Sequence, residues 1–130
     1  MADTDRLFAE LGRPAGVTLS ALVLNEKGLE RGLACDVGLF CMGVSASETH
    51  SRKNTGMSIA EAIEHIVAIA HRAMEAKRSV QVSVQSAFGC GYEGAVPRER
   101  VLSLVRRFLD AGLTHISLAD TAGHAVPDQV

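Results

Sequence analysis

Residues 79–86 read Ser-Val-Gln-Val-Ser-Val-Gln-Ser, an unbroken alternation of polar and apolar side chains. A two-residue period is that of a β-strand, so this stretch predicts a strand with its valines on one face. The polar side chains of Gln81, Ser83 and Gln85 then share the opposite face. In an antiparallel sheet that face would be solvated, whereas in a closed parallel sheet it would point into a lumen and toward a ligand.

Three further short apolar runs predict strands on either side of this stretch. They cover residues 17–24, 39–44 and 114–119. The second run is almost entirely apolar, which is typical of a strand covered on both faces. Residues 45–56 between that run and the next helix are polar, and we expect irregular structure there.

Amphipathic segments between the strands predict helices. The first runs from about residue 26 to 35, and Ser58 and Glu61 have the spacing of a capping box that opens a longer one. The apolar stripe predicted for the longer helix consists of Ile59, Ala62, Ile63, Ile66, Ala70 and Met74. A third helix follows Pro97 and ends at Gly112, a candidate left-handed cap.

The alternation of strands and helices predicts an α/β fold with a parallel sheet and right-handed crossovers. Two architectures satisfy this order: an open flavodoxin-like sheet and a slice of a (β/α)8 barrel. Both place functional groups at the carboxyl ends of the strands.

Length and composition narrow the class of protein. The chain has 130 residues, 47% hydrophobic and 22% charged, as expected for one globular domain. A net charge of -2 and the lack of a dense Lys/Arg cluster argue against a nucleic-acid partner. No apolar run approaches the roughly eighteen residues of a membrane span. Cys35, Cys41 and Cys90 lack C-x-x-C spacing, which favours reduced thiols and a cytoplasmic location.

The conspicuous polar clusters all follow predicted strands, at residues 25–28, 45–54, 85–94 and 120–123. Asp120 directly follows a strand that we expect to be buried. A carboxylate there needs a metal, a cation or several donors, unless it only caps a turn or a helix.

Other polar residues admit two interpretations each. Arg52 and Lys53 offer cations to a phosphate, but a charge pair in a loop can also be simply solvated, as can Glu48. Cys90 lies in a glycine-rich turn with no identifiable base, so an unreactive thiol is favoured. The five histidines show no H-x-H or H-E-x-x-H spacing and therefore no metal pair.

Four strings, at residues 24–28, 45–48 followed by 52–54, 86–94 and 117–123, resemble hydroxymethylglutaryl-CoA lyases in their order and spacing. The resemblance implies a metal-dependent (β/α)8, or TIM, barrel of the pyruvate carboxyltransferase-like type. It places the four strands as strands three to six. Residues 1–130 are then expected to form a single partial barrel domain truncated at both ends.

The resemblance also implies a carbon–carbon lyase activity. The reaction is the retro-Claisen cleavage of 3-hydroxy-3-methylglutaryl-CoA to acetyl-CoA and acetoacetate, assisted by Mg²⁺ or Mn²⁺, in leucine degradation and ketone body formation. The family's metal ligands belong to strands that precede and follow this chain, so we expect no metal ligand here and no activity from the chain alone. The alternative is a non-catalytic α/β domain that binds a small acid, or an inactive remnant.

The site residues follow from the same resemblance. Asp120 matches the acidic residue that handles protons beside the substrate. The residues expected to bind the CoA thioester are Arg52, Lys53, Asn54, Gln85, Ser86 and Tyr92. Asp36 stands where the family has a helix-ending glycine. Because four parallel strands leave two open edges, we expect self-association or pairing with the missing barrel segments.

Overall fold

The computed structural model describes residues 3–130. Its centre is a four-stranded sheet in the order β1-β2-β3-β4, with every neighbouring pair parallel. The strands are β1 (Ser20–Leu22), β2 (Leu39–Ser45), β3 (Ser79–Gln85) and β4 (Ile116–Leu118). The helices are α1 (Thr4–Leu11), α2 (Glu26–Ala34), α3 (Glu48–Thr55), α4 (Ile59–Glu75) and α5 (Arg98–Asp110), and a 3₁₀ turn follows at Pro127–Gln129.

The strand order decides between the two architectures. In an open doubly wound sheet the order reverses and helices cover both faces. Here the strands follow one another in sequence, so right-handed crossovers put their helices on one face and leave the other as a lumen. The fold is therefore a partial (β/α)8 barrel, as the resemblance implied, and the open sheet that the residue pattern also allowed is excluded.

The hydrophobic core lies between the sheet and its helices. Phe40, Val44, Val82 and Val84 alternate along β2 and β3 and are almost completely buried. The helices contribute Leu29 from α2, Ile63, Ile66, Ile69, Ala70 and Ala73 from α4, and Leu104 and Phe108 from α5. This burial holds the central strands rigidly, and their carboxyl ends carry the polar groups described below.

The two outer strands are shorter than predicted. Of residues 17–24 only Ser20–Leu22 pair as a strand, and of residues 114–119 only Ile116–Leu118. Each has a strand neighbour on one side only. The expectation that Asp120 follows a buried strand is accordingly wrong, because β4 is half-buried and Leu118 is 48% exposed.

The expectation of irregular structure at residues 45–56 is also wrong. Residues 48–55 form helix α3, whose first turn is capped by the Ser47 hydroxyl accepting from the His50 amide at 3.1 Å. The helix ends at Gly56, which has a left-handed φ of +76°. The segment is polar because α3 lies at the rim of the sheet, and polarity alone does not exclude a capped helix.

Helix α4 begins with the predicted capping box, in which Ser58 and Glu61 exchange hydrogen bonds. Its inward stripe is also confirmed at Ala62, Ile63, Ile66 and Ala70. Met74, however, is 44% exposed, and Ile69 and Ala73 are buried instead. A helix period of 3.6 residues turns the stripe away from Met74 along this long helix.

Two turns at the amino ends of β2 and β3 hold non-glycine residues in the left-handed region. Asp36, where a glycine was expected, has φ +56° and its carboxylate contacts the guanidinium groups of Arg13 and Arg78. Lys77 has φ +58°, directly before β3. The ion pairs of Asp36 offset its backbone strain.

Replacing Lys77 by glycine is expected to stabilise the protein by about 0.5–1 kcal/mol, because glycine adopts this φ without the Cβ penalty. Lys27, exposed inside α2, is the matched control. There glycine is expected to cost up to about 1 kcal/mol. Urea unfolding midpoints measure both changes, and a stability loss at Lys77 would contradict the strain argument.

Candidate functional site

A pocket opens at the lumen face, at the carboxyl ends of the strands, with a volume of about 480 Å³. We call it the mouth pocket. Its lining residues are Leu22, Cys41, Met42, His50, Asn54, Gln81, Ser83, Gln85, Ser117, Ala119 and Thr121. No Asp, Glu, Lys or Arg is among them, so the pocket offers neutral hydrogen-bonding groups together with an apolar floor.

The predicted polar face of β3 lines this pocket. Gln81, Ser83 and Gln85 all contribute to its wall. The Gln85 amide lies over Gly43 of the neighbouring strand, where an added Cβ would come within 2.9 Å of the Gln85 Nε2. The missing side chain at Gly43 therefore leaves the space that the Gln85 amide occupies.

Helix α3 separates three residues that the sequence placed together. Successive helical residues point about 100° apart, so Arg52, Lys53 and Asn54 cannot face one ligand equally. Asn54 lines the mouth pocket. Arg52 pairs with Glu48 one turn earlier at 2.9 Å, and the other carboxylate oxygen of Glu48 accepts from the Ile59 amide. Glu48 is therefore a cap of α4 as well as an ion-pair partner.

Tyr92 connects the glycine-rich turn to α3. The Lys53 ammonium lies 4.3 Å from the centre of the Tyr92 ring, a cation–π contact. The His50 and Tyr92 ring centres are 6.5 Å apart. Tyr92 is 59% exposed, so an aromatic surface with a cation beside it borders the mouth pocket.

Asp120 lies between Ala119 and Thr121, both of which line the mouth pocket. Its carboxylate is exposed, and its two oxygens accept from the amides of His124 and Ala125, each at 2.9 Å. The Ala125 and His124 amides lower the pKa of the Asp120 carboxyl. The group is therefore ionised at neutral pH and closes the turn that follows β4.

Ser86 is buried and has a left-handed φ of +54°. Its amide donates to the Thr121 hydroxyl at 2.9 Å. It thus joins the loop after β3 to the loop after β4, while its neighbour Gln85 lines the pocket. The structure brings Asn54 and Gln85 to one pocket with Asp120 at its border, and it places Ser86 beneath that border.

Glu93 fastens the glycine-rich turn to α3. Its carboxylate accepts from the Thr49 amide at 2.6 Å and from Arg100 at 3.3 Å. The Thr49 amide holds the pKa of this carboxyl below its usual value. Arg100 also donates to the Ala46 carbonyl at 3.0 Å, so one ion pair links α5, the turn and the end of β2.

Cys90 lies under the same turn and is buried. Burial raises the pKa of its thiol, but hydrogen bonds from the Ser47 hydroxyl and the Tyr92 and Glu93 amides outweigh it and leave the pKa below its ordinary value. The thiol does not line the mouth pocket. Its contacts are those of a residue that shapes the turn.

A divalent ion of the expected kind does not fit these residues by themselves. Mg²⁺ and Mn²⁺ favour carboxylate oxygens, whereas the mouth pocket presents amides, hydroxyls and one imidazole. Both oxygens of Asp120 accept backbone hydrogen bonds. Across residues 3–130, no group of three or more His, Cys, Asp or Glu side chains is arranged to hold a metal ion.

Within the same described range, no helix is long and apolar enough to span a membrane.

Comparison with known proteins gives the family. The HMGL-like family model matches residues 4–130. The chain belongs to the HMGL-like family. It is 38% identical over 120 residues to the hydroxymethylglutaryl-CoA lyase YngG of Bacillus subtilis, covering 92% of this chain and 40% of that protein. It is 35% identical to the hydroxymethylglutaryl-CoA lyase of Pseudomonas mevalonii, covering 99% of this chain and 43% of the relative.

Solved structures of the same family superpose closely. The HMG-CoA lyase of B. subtilis gives a TM-score of 0.95 at 36% identity, over 99% of this chain and 43% of that one. The HMG-CoA lyase of Acinetobacter baumannii, in complex with coenzyme A and 3-methylmalate, gives 0.91 at 31% identity, over 98% and 41%. The chain therefore spans less than half the length of these relatives.

The sequence pattern does not single out two residues of the candidate site. The spacing of the histidines excludes only a metal pair, yet His50 lines the mouth pocket one helical turn before Asn54. Glu93 stands in the glycine-rich string without a distinguishing pattern, yet it holds that turn against α3. The signal for His50 was available in its spacing of four from Asn54, but only once residues 48–55 are recognised as a helix.

Proposed function

We propose that this chain forms the thioester-binding rim of a hydroxymethylglutaryl-CoA lyase. In the complete barrel the substrate would be 3-hydroxy-3-methylglutaryl-CoA, cleaved to acetyl-CoA and acetoacetate. The observation that carries the proposal is the convergence of Asn54, Gln85 and the residues flanking Asp120 on one pocket at the carboxyl ends of the strands. Asp120 is proposed as the catalytic carboxylate.

The CoA portion is proposed to lie along the outer rim of the mouth pocket. There Lys53 and Arg52 would attract its phosphates, and Tyr92 would contact its apolar or aromatic parts. Asn54, Gln85 and Ser86 belong to the inner part of the same binding surface. The acyl group would enter the lumen, where the walls are neutral and the floor is apolar.

Calorimetric titration of the 130-residue chain with coenzyme A tests this arrangement. Replacing Lys53 by methionine is expected to weaken binding several-fold, since an exposed phosphate contact contributes up to about 1 kcal/mol. Lys77 precedes β3 at the opposite end of the strands, so its methionine variant is the charge-matched control. Equal affinities for the two variants, or no binding to the unsubstituted chain, would refute the rim assignment.

We further propose that the chain alone does not catalyse the cleavage, because the reaction needs Mg²⁺ or Mn²⁺ and these residues do not suit either ion. The neutral donors of the mouth pocket support this, because they offer a hard cation no carboxylate of their own. Acetoacetate release from 3-hydroxy-3-methylglutaryl-CoA, assayed with and without magnesium, is expected to stay at background. Magnesium-dependent release would contradict the proposal.

The open sheet supports a proposal about partners. Leu22 and Leu118, on the two outer strands, are 60% and 48% exposed. Free strand edges and apolar side chains favour association, so the chain is proposed to associate with itself or with the other segments of the barrel. We also place it in the cytoplasm, where the free thiols of Cys35, Cys41 and Cys90 would stay reduced.

A non-catalytic domain that binds a small acid is the second candidate. The neutral, donor-rich lining of the mouth pocket favours it, because such donors suit a carboxylate without any CoA contact. Comparing glutarate with coenzyme A in the same titration distinguishes the two. Binding of glutarate alone would favour the small-acid domain.

A further inference from the structure

We propose that His50 is a ligand-binding residue of the mouth pocket, whose imidazole donates a hydrogen bond to an acyl oxygen of the bound thioester. The inference rests on the proposed function and deepens it by naming a residue and the group that it contacts. The acyl oxygen is either the thioester carbonyl or a carboxylate at the far end of the acyl chain.

The backbone at His50 is held in place on two sides. The His50 amide donates to the Ser47 hydroxyl at 3.1 Å, and the preceding Thr49 amide donates to Glu93 at 2.6 Å. His50 is one turn before Asn54 on α3, so both side chains project from the same face of the helix and both line the mouth pocket. The Tyr92 ring lies beside the imidazole, 6.5 Å between centres.

One ring nitrogen of the His50 imidazole lacks a hydrogen-bond partner. The Nδ1 of His50 is buried and has no hydrogen-bond partner in the structure. By contrast, the Nε2 of His71 lies 2.8 Å from the Ala111 carbonyl. Buried polar atoms are almost always paired, so an unpaired ring nitrogen in a pocket wall points to a group that arrives with the ligand.

The lining of the mouth pocket indicates which kind of ligand group would contact His50. The lining of the mouth pocket has no Asp or Glu that would hold a cation, and its amides, hydroxyls and imidazole can all donate hydrogen bonds. An acyl oxygen accepts from such donors. Leu22, which lines the same pocket and is 60% exposed, offers apolar surface to the carbon chain that carries the oxygen.

The side-chain NMR signals of the histidines test the proposal on the unsubstituted 130-residue chain. Titration with acetyl-CoA and with glutaryl-CoA is expected to shift the His50 ring nitrogens, and coenzyme A without an acyl group is expected to leave them unchanged. His71 and His115 should stay unchanged throughout. A His50 shift with acetyl-CoA assigns the thioester carbonyl, and a shift only with glutaryl-CoA assigns the far carboxylate.

Substitution gives an independent measurement. His50→Phe keeps a ring beside Tyr92 but removes both nitrogens, and it is expected to weaken acyl-CoA binding about fivefold to tenfold while leaving coenzyme A binding unchanged. His115→Phe, at an exposed position before β4, should bind as the unsubstituted chain does. His50→Asn should restore affinity if Nδ1 makes the contact, and His50→Gln if Nε2 does.

Failure of the His50 assignment can be distinguished from failure of the proposed function. If acyl-CoA binds without shifting the His50 signals, and binds His50→Phe as tightly as the unsubstituted chain, the rim proposal stands and the role of His50 is wrong. If no CoA compound binds, the rim proposal fails. In that case a His50 shift on adding glutarate would still support an acyl-oxygen site, and the absence of a shift would refute it.

Discussion

Replacing Gly32 by alanine is expected to destabilise the fold by about 2 kcal/mol, because the new methyl group enters a filled core. Gly32 is buried in α2, and an added Cβ would lie 2.3 Å from the Cε1 and 2.9 Å from the Cζ of Phe40. Phe40 is itself fully buried in β2, so its ring can move only by displacing other core side chains. So close an approach places the cost of overpacking near the upper end of about 1–3 kcal/mol, and the roughly 1 kcal/mol that alanine gains over glycine in a helix leaves a net loss of about 2 kcal/mol.

Gly28 in the same helix is the matched control. A Cβ there would meet its nearest neighbour, the Oδ1 of Asn25, at 3.4 Å, and Val23 atoms at 3.5 Å and beyond. Gly28→Ala is therefore expected to be neutral or slightly stabilising. Urea unfolding of both variants measures the difference, and adding Phe40→Leu to Gly32→Ala should recover part of the loss. Equal stability of the two alanine variants would refute the close packing of α2 on β2.

Replacing Glu93 by alanine is expected to cost about 1–2 kcal/mol, since a charged acceptor of amide hydrogen bonds is removed. The Thr49 amide and Arg100 both lose their partner. Because α3 carries His50 and Asn54, the same change should also weaken binding in the mouth pocket. Glu75→Ala, at the exposed end of α4, is the control and is expected to change the free energy of unfolding by less than about 0.5 kcal/mol.

The contribution of Glu93 should depend on pH in a defined direction. Its pKa is lowered in the folded protein, chiefly by the Thr49 amide, so the ionised form is favoured by folding. The stabilisation is fully present above the unfolded pKa of about 4.3 and is lost as the pH falls through the lower folded pKa. The stability difference between the unsubstituted chain and Glu93→Gln should thus be constant near pH 7 and shrink below about pH 4. A difference that grows on acidification would contradict this assignment.

Most of the candidate site could be located from the sequence because parallel strands all end at one edge of the sheet. The period of residues 79–86 placed Gln85 on the lumen face, and in the structure Gln85 lines the mouth pocket together with Asn54. The neighbours of Asp120 reach the same pocket for the same reason. What the sequence did not indicate is that α3 turns Arg52 toward Glu48, since that depends on recognising the helix.

The sequence by itself determined the α/β order, the capping box at Ser58 and the alternation of β3, because these follow from local periodicity and from hydrogen bonds within a few residues. Its local pattern left the barrel slice and the open sheet as alternatives, which the resemblance and then the strand order resolved. Only the tertiary structure decided that Gly32 meets Phe40 and that Glu93 reaches Thr49. These features join residues from separate elements. Local patterns cannot set such contacts, which depend on how the crossovers place each helix over the sheet.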